Sequence, residues 1–128
     1  MNYKFSLIIL TETRFCAGNG LYIDGYKGWH SGRDLGGGGG VSLFCDSGIS
    51  AYQITNLSFV NEAIEVYTVR VEICSRIFVI VAIYRPPSGS IIEFTNSLLL
   101  TLVSFYLTLL IIYQLLLLSR IYLLLVTN

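Results

Sequence analysis

The feature that most constrains this chain is a stretch without any charged residue, from Phe94 to Ser119. Within it, the segment from Ser97 to Leu118 is long enough to cross a hydrocarbon core of about 30 Å as a helix. Apolar residues cover every face of that helix, which is not the pattern of an amphipathic surface helix. The sequence therefore predicts a long apolar C-terminal helix, which by hydropathy is a candidate membrane span.

The residues before this stretch have an ordinary globular composition. All acidic residues lie at or before Glu93, and Arg120 is the only basic residue that follows it. The formal net charge is +0, so composition by itself gives no indication of nucleic-acid binding. We predict two parts, a globular domain over residues 1–100 and an apolar tail over residues 101–128.

Hydrophobic patterns predict several strands in the globular part. Residues 5–10 and 77–84 are apolar throughout, which is typical of strands buried on both faces. Residues 64–74 alternate between apolar and polar side chains, as in a half-buried strand. Because a short connection separates 64–74 from 77–84, we predict a hairpin whose second strand is central.

The glycine-rich part of the chain is predicted to be mostly loop. Residues 17–40 are rich in Gly, Asn and Asp, and a short strand is predicted at 41–45. The run Gly36 to Gly40 precedes a strand and is followed by no lysine, which argues against a phosphate-binding loop. We interpret it as a flexible or tightly turning connection. The single histidine, His30, is predicted to be a solvent-facing loop residue.

Two side chains stand where predicted buried strands end. Glu12 directly follows the first strand, and ligands often bind at strand ends in open sheets. A carboxylate there could hold Mg²⁺, although a lone Glu after a strand more often begins a helix. Tyr84 ends the strand at 77–84, just before a rigid Arg-Pro-Pro turn. Its hydroxyl is expected either to reach the sheet edge or to cap the core, and both alternatives stay open.

Taken in order, these segments resemble the endonuclease domain of non-LTR retrotransposons over residues 7–100. Thr11-Glu12-Thr13 is similar to the family's "ETW" segment, and Tyr84-Arg85-Pro86-Pro87 with Glu93-Phe94 is similar to its "YRPP…EF" signature. Between them, the family's "GY…R…GGGV" stretch and its "E-x-x-x-V" strand are matched by Gly25-Tyr26, Arg33, Gly38-Gly39-Gly40-Val41 and Ile64-Glu65.

The resemblance implies an α/β (α+β) fold of the endonuclease/exonuclease/phosphatase superfamily. This is a partial β-sandwich with flanking helices, followed here by the long apolar helix. It also implies hydrolysis of phosphodiesters with Mg²⁺ or Mn²⁺, DNA as the partner, no small-molecule cofactor and a nuclear retroelement product. By position, Glu12 matches the metal-binding glutamate, and Tyr84 matches the tyrosine that helps to hold the scissile phosphate. Arg85 would add a positive charge near that phosphate.

The departures from the family pattern concern most of its catalytic residues. The family's early active-site Asn, its Gly-Asp-Phe-Asn strand end and its Ser-Asp-His segment have no counterpart here, and Arg14 stands where the family has Trp. We therefore expect an inactive remnant that does not retain its metal. The alternatives are a single-pass membrane protein with a small N-terminal domain, and a non-catalytic module that keeps part of the DNA-facing cleft.

Overall fold

The computed structural model describes residues 4–15, 20–31, 39–87, 89–115 and 121–127. In chain order they form β1 (Leu7–Thr11), β2 (Tyr26–His30), β3 (Val41–Asp46), β4 (Ser50–Gln53), a 3-10 turn (Thr55–Leu57), β5 (Phe59–Val60), β6 (Glu65–Ile73), β7 (Arg76–Tyr84), α1 (Ile91–Leu115) and β8 (Ile121–Thr127).

A three-stranded antiparallel sheet has the order β1-β3-β2. Strands near 5–10 and at 41–45 are confirmed as β1 and β3. The prediction that the first of them is buried on both faces was wrong, because β1 is an edge strand of intermediate burial. Strand β2 lies inside the segment that was predicted to be loop. The loop prediction was wrong because Gly28 interrupts the strand-forming residues of β2, which is held as a strand by its pairing with β3. At Gly28 a Cβ would lie 3.0 Å from the Phe44 ring, so a larger residue there would crowd the ring.

A five-stranded sheet has the order β4-β6-β7-β8, and β5 pairs with the first residues of β6. The predicted hairpin is confirmed, because β6 and β7 pair without a break from Glu65 opposite Tyr84 to Ile73 opposite Arg76. Its two turn residues, Cys74 and Ser75, are both left-handed, with φ of 50° and 60°. This is the backbone that a two-residue hairpin turn requires.

The chain returns to the five-stranded sheet after α1. Strand β8 pairs parallel to β7, from Ile121 opposite Ile77 to Thr127 opposite Ile83. Helix α1 is 25 residues long, about 37 Å, and so spans the nine-residue β7 of about 30 Å. Because β7 and β8 are parallel, their carboxyl ends lie at one edge of the sheet. Strand β7 is central, as predicted. The predicted domain boundary at residue 100 falls inside α1.

The core has two apolar layers. Between the two sheets lie Leu43, Cys45, Val69, Val71 and Ile80. Between the five-stranded sheet and α1 lie Leu57, Ile64, Val66, Val79, Val81, Ile83 and Phe105. The fold class is α+β, two packed sheets and a C-terminal apolar helix, as the sequence predicted.

Helix α1 packs on the sheet with one face only. Phe105 and Thr101 are buried, and Phe94 and Leu98 pack beside them. The outward face carries Leu99, Leu100, Val103, Tyr106 and Leu107, each more than half exposed. Within the described part of the chain, residues 91–108 are long and apolar enough to span a membrane, by length and composition only. The predicted span at 97–118 overlaps this helix, and its residues 116–118 lie outside the described ranges.

Candidate functional site

The ends of β1 and β7 bring Glu12 and Tyr84 together. The Tyr84 hydroxyl donates a hydrogen bond to Oε1 of Glu12 at 3.0 Å, across 72 residues of sequence. Tyr84 is only 2% exposed, whereas the Glu12 side chain is exposed. The core therefore fixes the tyrosine ring, and the carboxylate is at the surface. Both alternatives for Tyr84 hold at once, because it fills the core and also presents its hydroxyl at the edge.

The backbone around Glu12 is strained. Glu12 and Arg14 have φ of 56° and 53°, a left-handed conformation that costs an L-residue about 1–2 kcal/mol. Two hydrogen bonds hold this segment, from Arg14 N to Gly39 O at 2.8 Å and from Thr13 N to Gly40 O at 3.3 Å. Strain of this kind concentrates at functional sites. We call Glu12, Thr13, Gly39, Gly40 and Tyr84 the strand-end site.

Glycine is required at the point where the two backbones meet. Gly39 and Gly40 have φ of 108° and 98°, and a Cβ on Gly40 would lie 2.6 Å from Thr13 Oγ1. The sequence predicted a flexible or tightly turning connection over the glycine run, and at these two residues the backbone has the positive φ that favours glycine. Residues 36–38 lie outside the described ranges.

A buried acid, Glu65, lies behind the strand-end site. It is 0% exposed and is paired opposite Tyr84 between β6 and β7. Its Oε2 accepts hydrogen bonds from Gly40 N at 3.0 Å and from Ser31 Oγ at 3.2 Å. In the sequence, Glu65 stands out only as part of the Ile64-Glu65 motif. Its place on the apolar face of the alternating strand, two residues before Tyr67, indicates that it is buried.

Arg85 follows Tyr84 at the same edge and is half-buried. Its Nη1 donates to Gly89 O at 3.3 Å, which closes the turn after β7. This bond uses one N–H donor of the guanidinium, and the group has further donors that could contact a ligand. The role of Arg85 beside a phosphate stays a prediction.

His30 was predicted to face solvent from a loop, and this was wrong. It ends β2 and is half-buried, with Nδ1 at 2.9 Å from Ser42 Oγ and its ring edge-on to Phe44. Burial lowers the pKa of His30, against a smaller opposing effect of a backbone hydrogen bond at Leu21. Because Val41 and Leu43 face the second sheet, Ser42 and His30 lie on the opposite face, away from Tyr84.

The described residues do not by themselves fit a divalent metal at the strand-end site. Mg²⁺ prefers near-octahedral oxygen coordination, and Glu12 supplies a single exposed carboxylate. Glu65 is buried and already accepts two hydrogen bonds. Over the described ranges no group of three or more His, Cys, Asp or Glu side chains could hold a metal ion.

Comparisons of the chain with family models, with curated proteins and with solved structures found no match. The geometry and chemistry of the strand-end site are therefore the basis for assigning a function.

Proposed function

We propose that this chain is a remnant of a Mg²⁺- or Mn²⁺-dependent DNA endonuclease domain of the non-LTR retrotransposon type, and that the 128-residue chain does not cut DNA. The observation that supports this most is the hydrogen bond between Tyr84 and Glu12. Two segments that resemble separate motifs of one active site meet at one edge, although they are far apart in sequence. A chance likeness of short motifs gives no reason for such a meeting.

The expected lack of cutting follows from what hydrolysis requires. A phosphodiesterase of this kind needs a metal held by several ligands, an activated water and a proton for the leaving oxygen. The strand-end site supplies one exposed carboxylate and a phenol that already donates to it. Loss of general acid–base catalysis alone lowers a rate by about 10²–10⁴. His30 lies on the far face of its sheet, so it is not placed to supply that proton.

Binding to DNA is expected to be weak. Phosphate contacts supply most of the affinity of a protein for duplex DNA, and the net charge of this chain is +0. Beside the strand-end site, Glu12 offsets one of the two positive charges of the exposed Arg14 and the half-buried Arg85. Because the salt dependence grows with the number of phosphate contacts, any binding should weaken only modestly as salt is raised.

The test is a nicking assay on supercoiled plasmid with Mg²⁺ or Mn²⁺. We expect no nicking above buffer from the folded wild type or from Glu12→Gln. The matched control is Glu72→Gln, which neutralises an exposed carboxylate near the other end of β6. Nicking by the wild type and by Glu72→Gln that is lost in Glu12→Gln would overturn the inactive part of the proposal. The retroelement origin is tested separately, since a reverse-transcriptase reading frame is expected in the flanking DNA.

A second candidate is a single-pass membrane protein, and the outward face of α1 favours it. Leu99, Leu100 and Val103 are exposed apolar residues in a helix without charge after Glu93. A helix that spans a bilayer would have to leave the sheet, which would remove the packing of Phe105. Carbonate extraction of the expressed protein separates the candidates: release into the soluble fraction excludes a membrane span, and retention in the pellet supports it.

A further inference from the structure

We infer that Glu65 is the positioning residue of the strand-end site: its buried carboxylate holds Gly40, and the backbone of Gly39 and Gly40 holds the Glu12 segment within reach of Tyr84. This inference rests on the proposed function only for the importance of Glu12 and Tyr84. The hydrogen bonds that carry it are independent of any action on DNA.

Glu65 holds Gly40 through a direct hydrogen bond. Gly40 and Glu65 are both buried, so the Gly40 amide needs an acceptor inside the protein. Oε2 of Glu65 supplies it at 3.0 Å, and a hydrogen bond to a carboxylate is stronger than one to a neutral oxygen. Ser31 reinforces this arrangement, since its Oγ donates to Glu65 and accepts from Val41 N at 2.9 Å.

The two glycines in turn hold the strained segment that follows β1. The carbonyls of Gly39 and Gly40 accept from the amides of Arg14 and Thr13. These two bonds flank Thr13, which lies between the two left-handed residues Glu12 and Arg14. These are the only backbone hydrogen bonds described for residues 12–14. If the glycines move, Glu12 and Arg14 can therefore relax to an ordinary negative φ.

The position of Glu12 relative to Tyr84 depends on how the two sheets are connected. Glu12 follows a strand of the three-stranded sheet, whereas Tyr84 ends a strand of the five-stranded sheet. Glu65 is paired with Tyr84 in the second sheet and hydrogen-bonds to Gly40, which leads into β3 of the first. One buried side chain therefore sets the spacing between the two strand ends. A displacement of Glu65 is transmitted to the carboxylate of Glu12 but leaves the Tyr84 ring in its core.

The experiment is site-resolved amide hydrogen exchange on the full chain, without DNA. In Glu65→Ala, the amides of Thr13 and Arg14 should lose about tenfold more protection than the amides of the β6–β7 hairpin. In Glu65→Gln, an amide oxygen can still accept from Gly40, so protection at Thr13 and Arg14 should be restored. The control is Val69→Ala, which opens the core on the same face of β6 and should lower protection across the sheet evenly.

Equal loss of protection at all amides in Glu65→Ala, or no restoration in Glu65→Gln, would overturn the inference. Where Glu65→Ala does not fold, Glu65→Asp replaces it, because it keeps the charge and withdraws the carboxylate from Gly40. The same selective loss at Thr13 and Arg14 is expected, and an unchanged Glu65→Asp counts against positioning. These readouts do not depend on the plasmid assay, so failure of the endonuclease proposal and failure of this inference are distinguishable.

Discussion

The hydroxyl of Tyr84 lies 3.0 Å from a carboxylate oxygen of Glu12, and this bond joins the end of β7 in one sheet to the residue after β1 in the other. Tyr84 is buried in a cluster with Val41 and Ala82, so packing holds its ring in place. The glutamate accepts this bond through its side chain, and the two residues that follow it are held by backbone hydrogen bonds to Gly39 and Gly40. The bond therefore reports how the two sheets are set against each other.

Tyr84→Phe should lower the free energy of unfolding by about 1–2 kcal/mol, because it removes a hydrogen bond to a carboxylate and keeps the ring. Urea denaturation measures this. In a double-mutant cycle with Glu12→Gln, the two effects should be non-additive. Additive losses would show that the two side chains do not interact.

Gly40→Ala should cost about 1–3 kcal/mol, since φ is +98° and the new Cβ would lie 2.6 Å from Thr13 Oγ1. Gly48→Ala is the control, because Gly48 is exposed and its Cβ would meet only the end of the Asp46 side chain at 3.3 Å. It should change stability by no more than about 0.5 kcal/mol. Equal costs at the two positions would argue against a specific requirement for glycine at Gly40.

Phe105→Ala should cost about 3–5 kcal/mol, because the ring is buried between α1 and the five-stranded sheet. The neighbouring Tyr106 is exposed, so Tyr106→Ala should cost no more than about 0.5 kcal/mol. Thermal or urea unfolding of the soluble protein distinguishes them. A small effect at Phe105 would mean that α1 does not pack on the sheet, as the membrane alternative requires.

Replacing the hairpin turn residues should stabilise the fold. Cys74 and Ser75 are both left-handed, and Asn-Gly is the favoured pair for such a two-residue turn. The double variant Cys74→Asn with Ser75→Gly should raise the free energy of unfolding by about 1 kcal/mol. The matched control is Ser47→Gly, in an exposed turn without positive φ at that residue, which should give no gain.

The ion pair between Lys4 and Asp46, at 2.7 Å, should make stability pH-dependent. The hydrogen bond from Lys4 lowers the pKa of Asp46 below its ordinary 3.8, and the same bond raises the pKa of Lys4 above 10.5. A lowered carboxyl pKa stabilises the fold above 3.8 and ceases to do so as the pH falls through the folded value. The contribution of Lys4 to the free energy of unfolding is complete below pH 10.5 and is lost as the pH rises through its raised pKa.

The difference in unfolding free energy between wild type and Lys4→Met should therefore be present at neutral pH and vanish in acid. Urea midpoints across the acid range measure it. Lys27→Met is the control, because Lys27 donates to the carbonyl of Ile49 and not to a carboxylate. Its effect should not change over the same range, and a parallel acid dependence would contradict the assignment to Asp46.

The strongest local patterns could be predicted from the sequence. The alternation over residues 64–74 and the apolar run at 77–84 predict a hairpin, because only two residues join the two strand-like segments. The prediction that the first strand is half-buried was wrong, because the 3-10 turn covers the face that carries Thr68. The same reasoning places Glu12 at a strand end and predicts a long helix near residues 97–118. Each of these rests on neighbours in sequence, which interact whatever the rest of the chain does.

Only the tertiary structure decided the remaining features. Strand β2 contains Gly28 and is formed by pairing with β3, and β8 is recruited by β7 across the whole of α1. Glu65 and Gly40 are 25 residues apart, and Tyr84 and Glu12 are 72 apart. The sequence by itself determined that Glu12 and Tyr84 lie at strand ends and that the C-terminal helix is apolar. Which of those ends meet was decided by the packing of one sheet on the other, because only the packed sheets bring together residues that are distant in sequence.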